Sequence, residues 1–184
     1  MTEPQARRPR RHDPDRRARI IAAAVEVIAE HGVTGATHRA IARAADVPLG
    51  SMTYHFASLD ELHAEAFAVL ADEVAGALEE RMRACADADA AVEALTEHLA
   101  DLIGAERALL VSLELYGAAA RRPELRAMTE GWMNRSRRAL EQHFDPVTAR
   151  ELDALVEGLV LHQALSTDPM SVEQLRHAVL RITR

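Results

Sequence analysis

Apolar side chains recur at three- and four-residue spacing along almost the whole of this chain, and no stretch keeps the two-residue alternation of a strand. The first stripe, Ile20, Ala24, Val27, Ile28 and His31, predicts a helix from Asp15 or Arg16 to His31, stopped by Gly32. A second, shorter helix is expected from Thr37, whose hydroxyl can cap it, to Ala45, with Ile41 and Ala44 on one side and Arg39 and Arg43 on others. Asp46 tolerates a left-handed turn, and Pro48 pushes Val47 towards an extended conformation, so the chain must change direction there. From Leu49 to Phe56 the pattern is helical again. Leu49, Met52 and Phe56 fall on one side, Gly50, Ser51 and Tyr54 opposite, and Thr53 and His55 flank the outer face.

Ser58 to Glu61 has the spacing of a capping box and opens a long helix reaching about Ala84. Its apolar surface is too broad for a helix lying on a small head alone, so it reads as a connector between head and body. Further helices are expected at Asp89–Gly104, Ala105–Arg121, Pro123–Phe144, Pro146–Ser166 and Ser171–Ile182, broken at Asp and Pro positions. The fold class is therefore all-α: an N-terminal three-helix head over residues 16–62 and a C-terminal helical bundle over 63–184, preceded by an arm over 1–15.

Two short helices joined by a tight turn, the second showing Gly, Ser, Thr, Tyr and His on its outer face, make a helix-turn-helix reading against the plainer one of a surface helical hairpin. Such side chains are small or flat enough to lie against a duplex. Charge supports the reading: residues 1–60 hold 9 of the 22 arginines against 7 of the 29 acids, so the acidic surplus falls on the remainder. An acidic protein whose basic cluster lies at one end presents that end to a polyanion. Arg7, Arg8, Arg10 and Arg11 in the arm either track phosphates or belong to a solvated tail.

The segment from Ala18 to Leu62, ARIIAAAVEVIAEHGVTGATHRAIARAADVPLGSMTYHFASLDEL, resembles the tetracycline-repressor (TetR) family of bacterial regulators. The resemblance lies in a first helix ending in HG, a Thr-led second helix, YHF near the end of the third, and the following S-x-D-E-L. Departures are Asp46 where the family usually has Gly, Pro48 in place of a Ser/Thr-like cap, Thr53 where a second aromatic is frequent, and Leu59 where a phosphate-contacting Lys is common. The resemblance implies repression relieved by an effector and, for Tyr54 and His55, phosphate contacts. On the residues themselves, Ser51 and Thr53 are candidates for base edges and Leu49 for a thymine methyl, Gly50 allows close approach, and Thr37 and Arg39 are candidates for phosphate. Met52 and Phe56 belong to the core.

In the body, Leu152, Leu155, Val156, Leu159 and His162 with Leu175 and Val179 form stripes on the last two helices. A family-like fold makes these a homodimer interface; they equally suit the core of a monomer. Phe67, Met82, Leu113, Tyr116, Met128, Trp132 and Phe144 are candidates for an effector pocket, or for ordinary packing. Glu93, Glu97 and Asp101 share a helix face that reads as solvated acid. Catalytic motifs, metal-ligand spacing and cofactor signatures are missing, so neither an enzyme nor a metal or cofactor is expected, although a helical-bundle enzyme and a body used only for dimerisation or protein docking remain alternatives. With Cys85 as the single cysteine, and neither a membrane-length apolar run nor a signal sequence, a cytoplasmic location is expected. The expected partners are an operator duplex, a second copy and a small molecule.

Overall fold

In the computed structural model, which describes residues 14–184, helix follows helix and no strand occurs among the described residues. The elements are α1 (Arg16–Gly35), α2 (His38–Ala44), α3 (Gly50–His55), α4 (Leu59–Ala84), α5 (Ala88–Gly104), α6 (Glu106–Arg121), α7 (Pro123–Leu140), α8 (Pro146–Leu165) and α9 (Val172–Thr183). The arm arginines Arg7, Arg8, Arg10 and Arg11 lie outside the described residues.

Most starts are made by side chains that take otherwise unpaired backbone N–H groups. Thr37 Oγ1 accepts from Ala40 N–H at 3.2 Å, Asp87 Oδ1 from Ala90 N–H at 2.8 Å, and Asp145 Oδ1 from Val147 and Thr148 N–H at 2.9 and 3.2 Å. Ser58 Oγ accepts from Glu61 N–H at 3.1 Å, but the Glu61 carboxylate takes the Ala57 N–H at 2.6 Å, one residue upstream of the reciprocal bond a capping box makes. Ser171 and Gln174 form the complete box at the start of α9. Asp46 has φ 51°, the left-handed conformation its position demands.

Two expectations need correcting. Gly32 does not end the first helix; with φ 67° and ψ 172° it breaks it, and a further helical turn runs to Gly35. The seventh helix ends at Leu140, not Phe144. His143 and Phe144 N–H both bond back to the Leu140 carbonyl at 3.0 Å, and His143 Nε2 donates to the Met82 carbonyl at 2.8 Å, turning the chain onto α4.

Two apolar clusters hold the fold. One joins α1 to α4 with α6 and α7, through Ile20, Ile28, Ile41, Met52, Phe67, Leu115 and Trp132 among others. The other lies at the far end, where Met82, Leu95, Leu140, Leu152 and Val179 meet. Burying each such side chain contributes roughly 1.5–3 kcal/mol. The first cluster runs from head into body without a gap, so the head is seated on the bundle rather than tethered to it. Polar contacts add direction: Arg122 to Asp60 at 2.7 Å, Arg107 to Glu26 at 2.7 Å, Arg17 to Glu65, and His63 Nε2 to the Ala36 carbonyl at 2.8 Å. The three exposed arginine pairs each contribute about 0–1 kcal/mol, so they orient more than they stabilise.

Candidate nucleic-acid interface and ligand cavity

α3 exposes an arc made of Leu49, Thr53, Gly50 and Tyr54; Leu49 is 50% and Tyr54 83% exposed. Its opposite arc, Ser51, Met52 and Phe56, is buried, with His55 half-buried beside it. The expectation for Ser51 is thus corrected. At 100° per residue it falls between Tyr54 and His55, at the edge of the packed arc, and it is only 9% exposed. Leu49, grouped with the core side by periodicity, faces outward. A Cβ built on Gly50 would meet nothing within 4 Å, so this backbone is open to a close-approaching surface. Tyr54 stands edge-on to His55, ring centroids 4.9 Å apart.

Thr37, His38, Arg39, Leu49 and Leu59 surround a shallow depression where the starts of α2, α3 and α4 converge. The Thr37 oxygen is an acceptor within its own cap, which leaves its hydroxyl hydrogen to donate outward. Arg39 and Arg43 are exposed on the same helix. Hydroxyl donors, guanidinium groups and a flat aromatic on one protruding face are the means by which a helix pair grips phosphates and enters a groove.

A cavity of about 250 Å³ lies in the body. Val74 of α4 and Leu102 of α5 form part of its wall, α6 contributes Ala108, Leu109, Ser112, Leu113 and Tyr116, and α8 contributes Val156, Glu157, Gly158, Val160 and Leu161. A small annex of about 20 Å³ shares Val74, Leu102, Val156 and Glu157 with it and is bounded by His98, Trp132, Ser136 and Asp153. Tyr116 stacks on Trp132, centroids 5.7 Å apart and planes 6° from parallel. Burial raises the pKa of Glu157 and of Tyr116, whose hydroxyl is within hydrogen-bonding reach of that carboxylate. Burial also raises Asp153, opposed by Arg137, whose Nε lies 2.9 Å from Asp153 Oδ2. His98 is pushed down to about 4 by burial and by Arg81.

Residues 20–66 match the model of the bacterial regulatory proteins of the tetR family, and residues 86–184 that of the tetracyclin repressor-like C-terminal domain. Among solved structures, SCO7518 of Streptomyces coelicolor A3(2) is 47% identical, with 92% of this chain and 99% of that one covered and a TM-score of 0.86. The chain belongs to the TetR family. SCO1917 of Streptomyces coelicolor A3, a member of the same family, is 36% identical over 93% of this chain and 99% of that one, TM-score 0.83. The multidrug binding protein EbrR, complexed with ethidium, is 38% identical over the same shares, TM-score 0.79. No curated protein matches the chain. This TetR-family chain is accordingly a DNA-binding transcriptional regulator built on a helix-turn-helix head.

The side chains singled out for a pocket divide three ways. Leu113 and Tyr116 line the chamber and Trp132 the annex. Phe67 lies in the first core and Met82 in the second, while Met128 and Phe144 pack against these from the edge. Of the interface candidates, Leu152, Leu175 and Val179 are buried within the single chain, so these three are corrected as partner-facing residues, while the half-buried Val156 lines the chamber. Leu155 and Leu159 are partly buried and His162 is exposed. Sequence reasoning missed Glu157, although a lone carboxylate within the apolar run from Leu155 to Leu161 is a visible signal. It also left out Ser112, which lines the chamber.

Proposed function

We propose that this regulator is a repressor that leaves a palindromic operator when a small molecule occupies the cavity between α4, α5, α6 and α8, with residues 16–62 reading DNA and 63–184 binding effector and partner. The observation that carries this reading is the double duty of α6. One side supplies Leu109, Ser112, Leu113 and Tyr116 to the cavity, and the other grips the head. Glu114 Oε2 accepts the Val33 N–H at 3.0 Å just after the break in α1, and Arg107 reaches Glu26 at 2.7 Å and Glu73 at 3.5 Å. α4 is a second link, with Val74 at the cavity and Leu62 and Ala66 in the core cluster that also holds Met52 and Phe56. A ligand that pushes α6 outward shifts the same helix that fixes α1. An effector favouring misplaced heads weakens DNA by the factor by which DNA weakens the effector.

The structures of EbrR with ethidium, malachite green and proflavin support a ligand-binding role for this body. A body serving only dimerisation has no use for a lined chamber, and catalysis has no partner set here beyond a buried acid. Dimerisation through the half-buried Leu155 and Leu159 and the exposed His162 of α8 would set two heads on half-sites about 34–36 Å apart. The setting is cytoplasmic, as for a protein working on the chromosome.

Labelled DNA from upstream of the protein's own gene, bound at two salt concentrations, tests the reading. Tyr54→Phe is expected to weaken operator and scrambled duplex alike, by roughly tenfold over two heads, since it removes one phosphate hydrogen bond from each. A loss confined to one base position would sink the phosphate assignment.

A further inference from the structure

We infer that the chamber takes a lipophilic organic cation, its positive centre set against Glu157 and its apolar part in the space bounded by α6 and α8. This rests on the reading of the cavity as the effector site. The chamber wall is aliphatic except for Ser112, Tyr116 and Glu157, so its one readily ionised group is an acid. No cationic side chain lines the chamber or the annex. Arg137 is engaged with Asp153, and Arg81 reaches Asp101. A carboxylate among apolar walls is costly unless it keeps its proton or meets a cation.

Geometry sets the ligand's orientation. Glu157 stands at the neck between chamber and annex, and the annex holds no more than a water-sized group. The bulk of a ligand therefore occupies the chamber and its charge lies at the neck, beside the Tyr116 ring held by Trp132. At about 250 Å³ the chamber is near the lower limit for ligand pockets, which suits one or two fused rings.

Binding then exchanges a proton. The groups that face Glu157 are Tyr116 from α6, Asp153 on α8 with Arg137 from α7 upon it, and His98 from α5 with Arg81 of α4 and Asp101 nearby. Burial first, then the Asp153 charge, favours the neutral acid, while the Tyr116 hydroxyl works against it. In the empty chamber the carboxyl holds its proton to higher pH than a free glutamate. A permanent cation favours the carboxylate, so the neutral acid and the cation form an ion pair and release one proton to solvent. Affinity rises with pH, by up to about tenfold per unit, while the empty site is protonated, and levels off above its pKa.

Calorimetry on the full chain, in two buffers of different ionisation enthalpy, compares N-methylquinolinium with its uncharged isostere 1-methylnaphthalene. The cation should bind at least tenfold tighter at pH 8 and release protons at lower pH. Glu157→Gln should abolish both effects and leave 1-methylnaphthalene binding unchanged, which shows the chamber intact. Equal affinities, or cation binding without proton release and indifferent to Glu157→Gln, overturn the inference and leave the effector site standing. Binding of neither compound at millimolar concentration overturns the effector site and the inference together. Tight cation binding with operator affinity unchanged at saturation confirms the cation site and removes the coupling proposed above.

Discussion

Replacing Gly32 with alanine is expected to lower the unfolding free energy by about 2–3 kcal/mol, and the melting temperature by about 5–10 °C for a chain of this size. The backbone there has φ 67° and ψ 172°, a region open in practice to glycine alone. The added Cβ would also stand 3.0 Å from Glu114 Oε1, and that carboxylate accepts the Val33 N–H. Alanine therefore strains the break in α1 and displaces the group that stabilises it. Gly35 shares the duty for a different reason: its Cβ would lie 2.6 Å from the Cβ of His31, a stem atom that cannot swing away. Because the turn after Gly35 carries Thr37 and α2, strain here also misplaces the DNA-reading face. Glu114→Gln keeps an acceptor oxygen and the space, and should cost far less. Thermal melts of both variants, with operator affinity measured where each is folded, decide the matter; an unchanged melting temperature in Gly32→Ala would refute this account of the break.

The helices and most of their boundaries were readable from the sequence because caps and breakers act locally: Thr37, Ser58, Asp87, Asp145 and Ser171 all accept the backbone N–H groups at their helix starts. Faces were less readable. Periodicity marks a stripe but does not say what covers it. α8 is apolar around much of its circumference, so Leu152 enters the core, Val156 the chamber and Leu159 the outer side, although all three lie on neighbouring lines. On α3 an offset in reading the arc placed Ser51 outside and Leu49 inside, the reverse of what packing against Met52 and Phe56 imposes. The acidic face of α5 is exposed as expected, but it is matched by neighbours: Arg176 binds Glu93 and Arg81 binds Asp101. Such pairing between distant helices leaves no local trace in sequence, and neither does a cavity, which is defined by what four helices fail to fill.

The second large effect is acid sensitivity carried by His98. This ring is 4% exposed on α5, and its folded pKa lies at about 4 against an ordinary 6.5. Between those values the unfolded chain binds a proton that the folded chain refuses, so stability is intact above the unfolded pKa and falls as pH drops towards the folded one. Taken from pH 7 to about pH 4.5, the linked loss is about 2–3 kcal/mol. His63, also lowered by burial, acts with the same sign. Asp153 and Glu157, whose pKa values are raised, act with the opposite sign, since the folded state gains their protons as pH falls. The lowered acids Glu79, Glu93 and Asp145 lose their contribution only as pH falls through the carboxylate range. His98→Gln, neutral at every pH, should therefore lose about 2–3 kcal/mol less than the parent chain between the two pH values in urea unfolding, whatever its own stability at pH 7. Equal losses in the two proteins would mean that the annex admits enough water to solvate a charged ring. That result would also weaken the case for a proton held on Glu157, because the same small space bounds both groups.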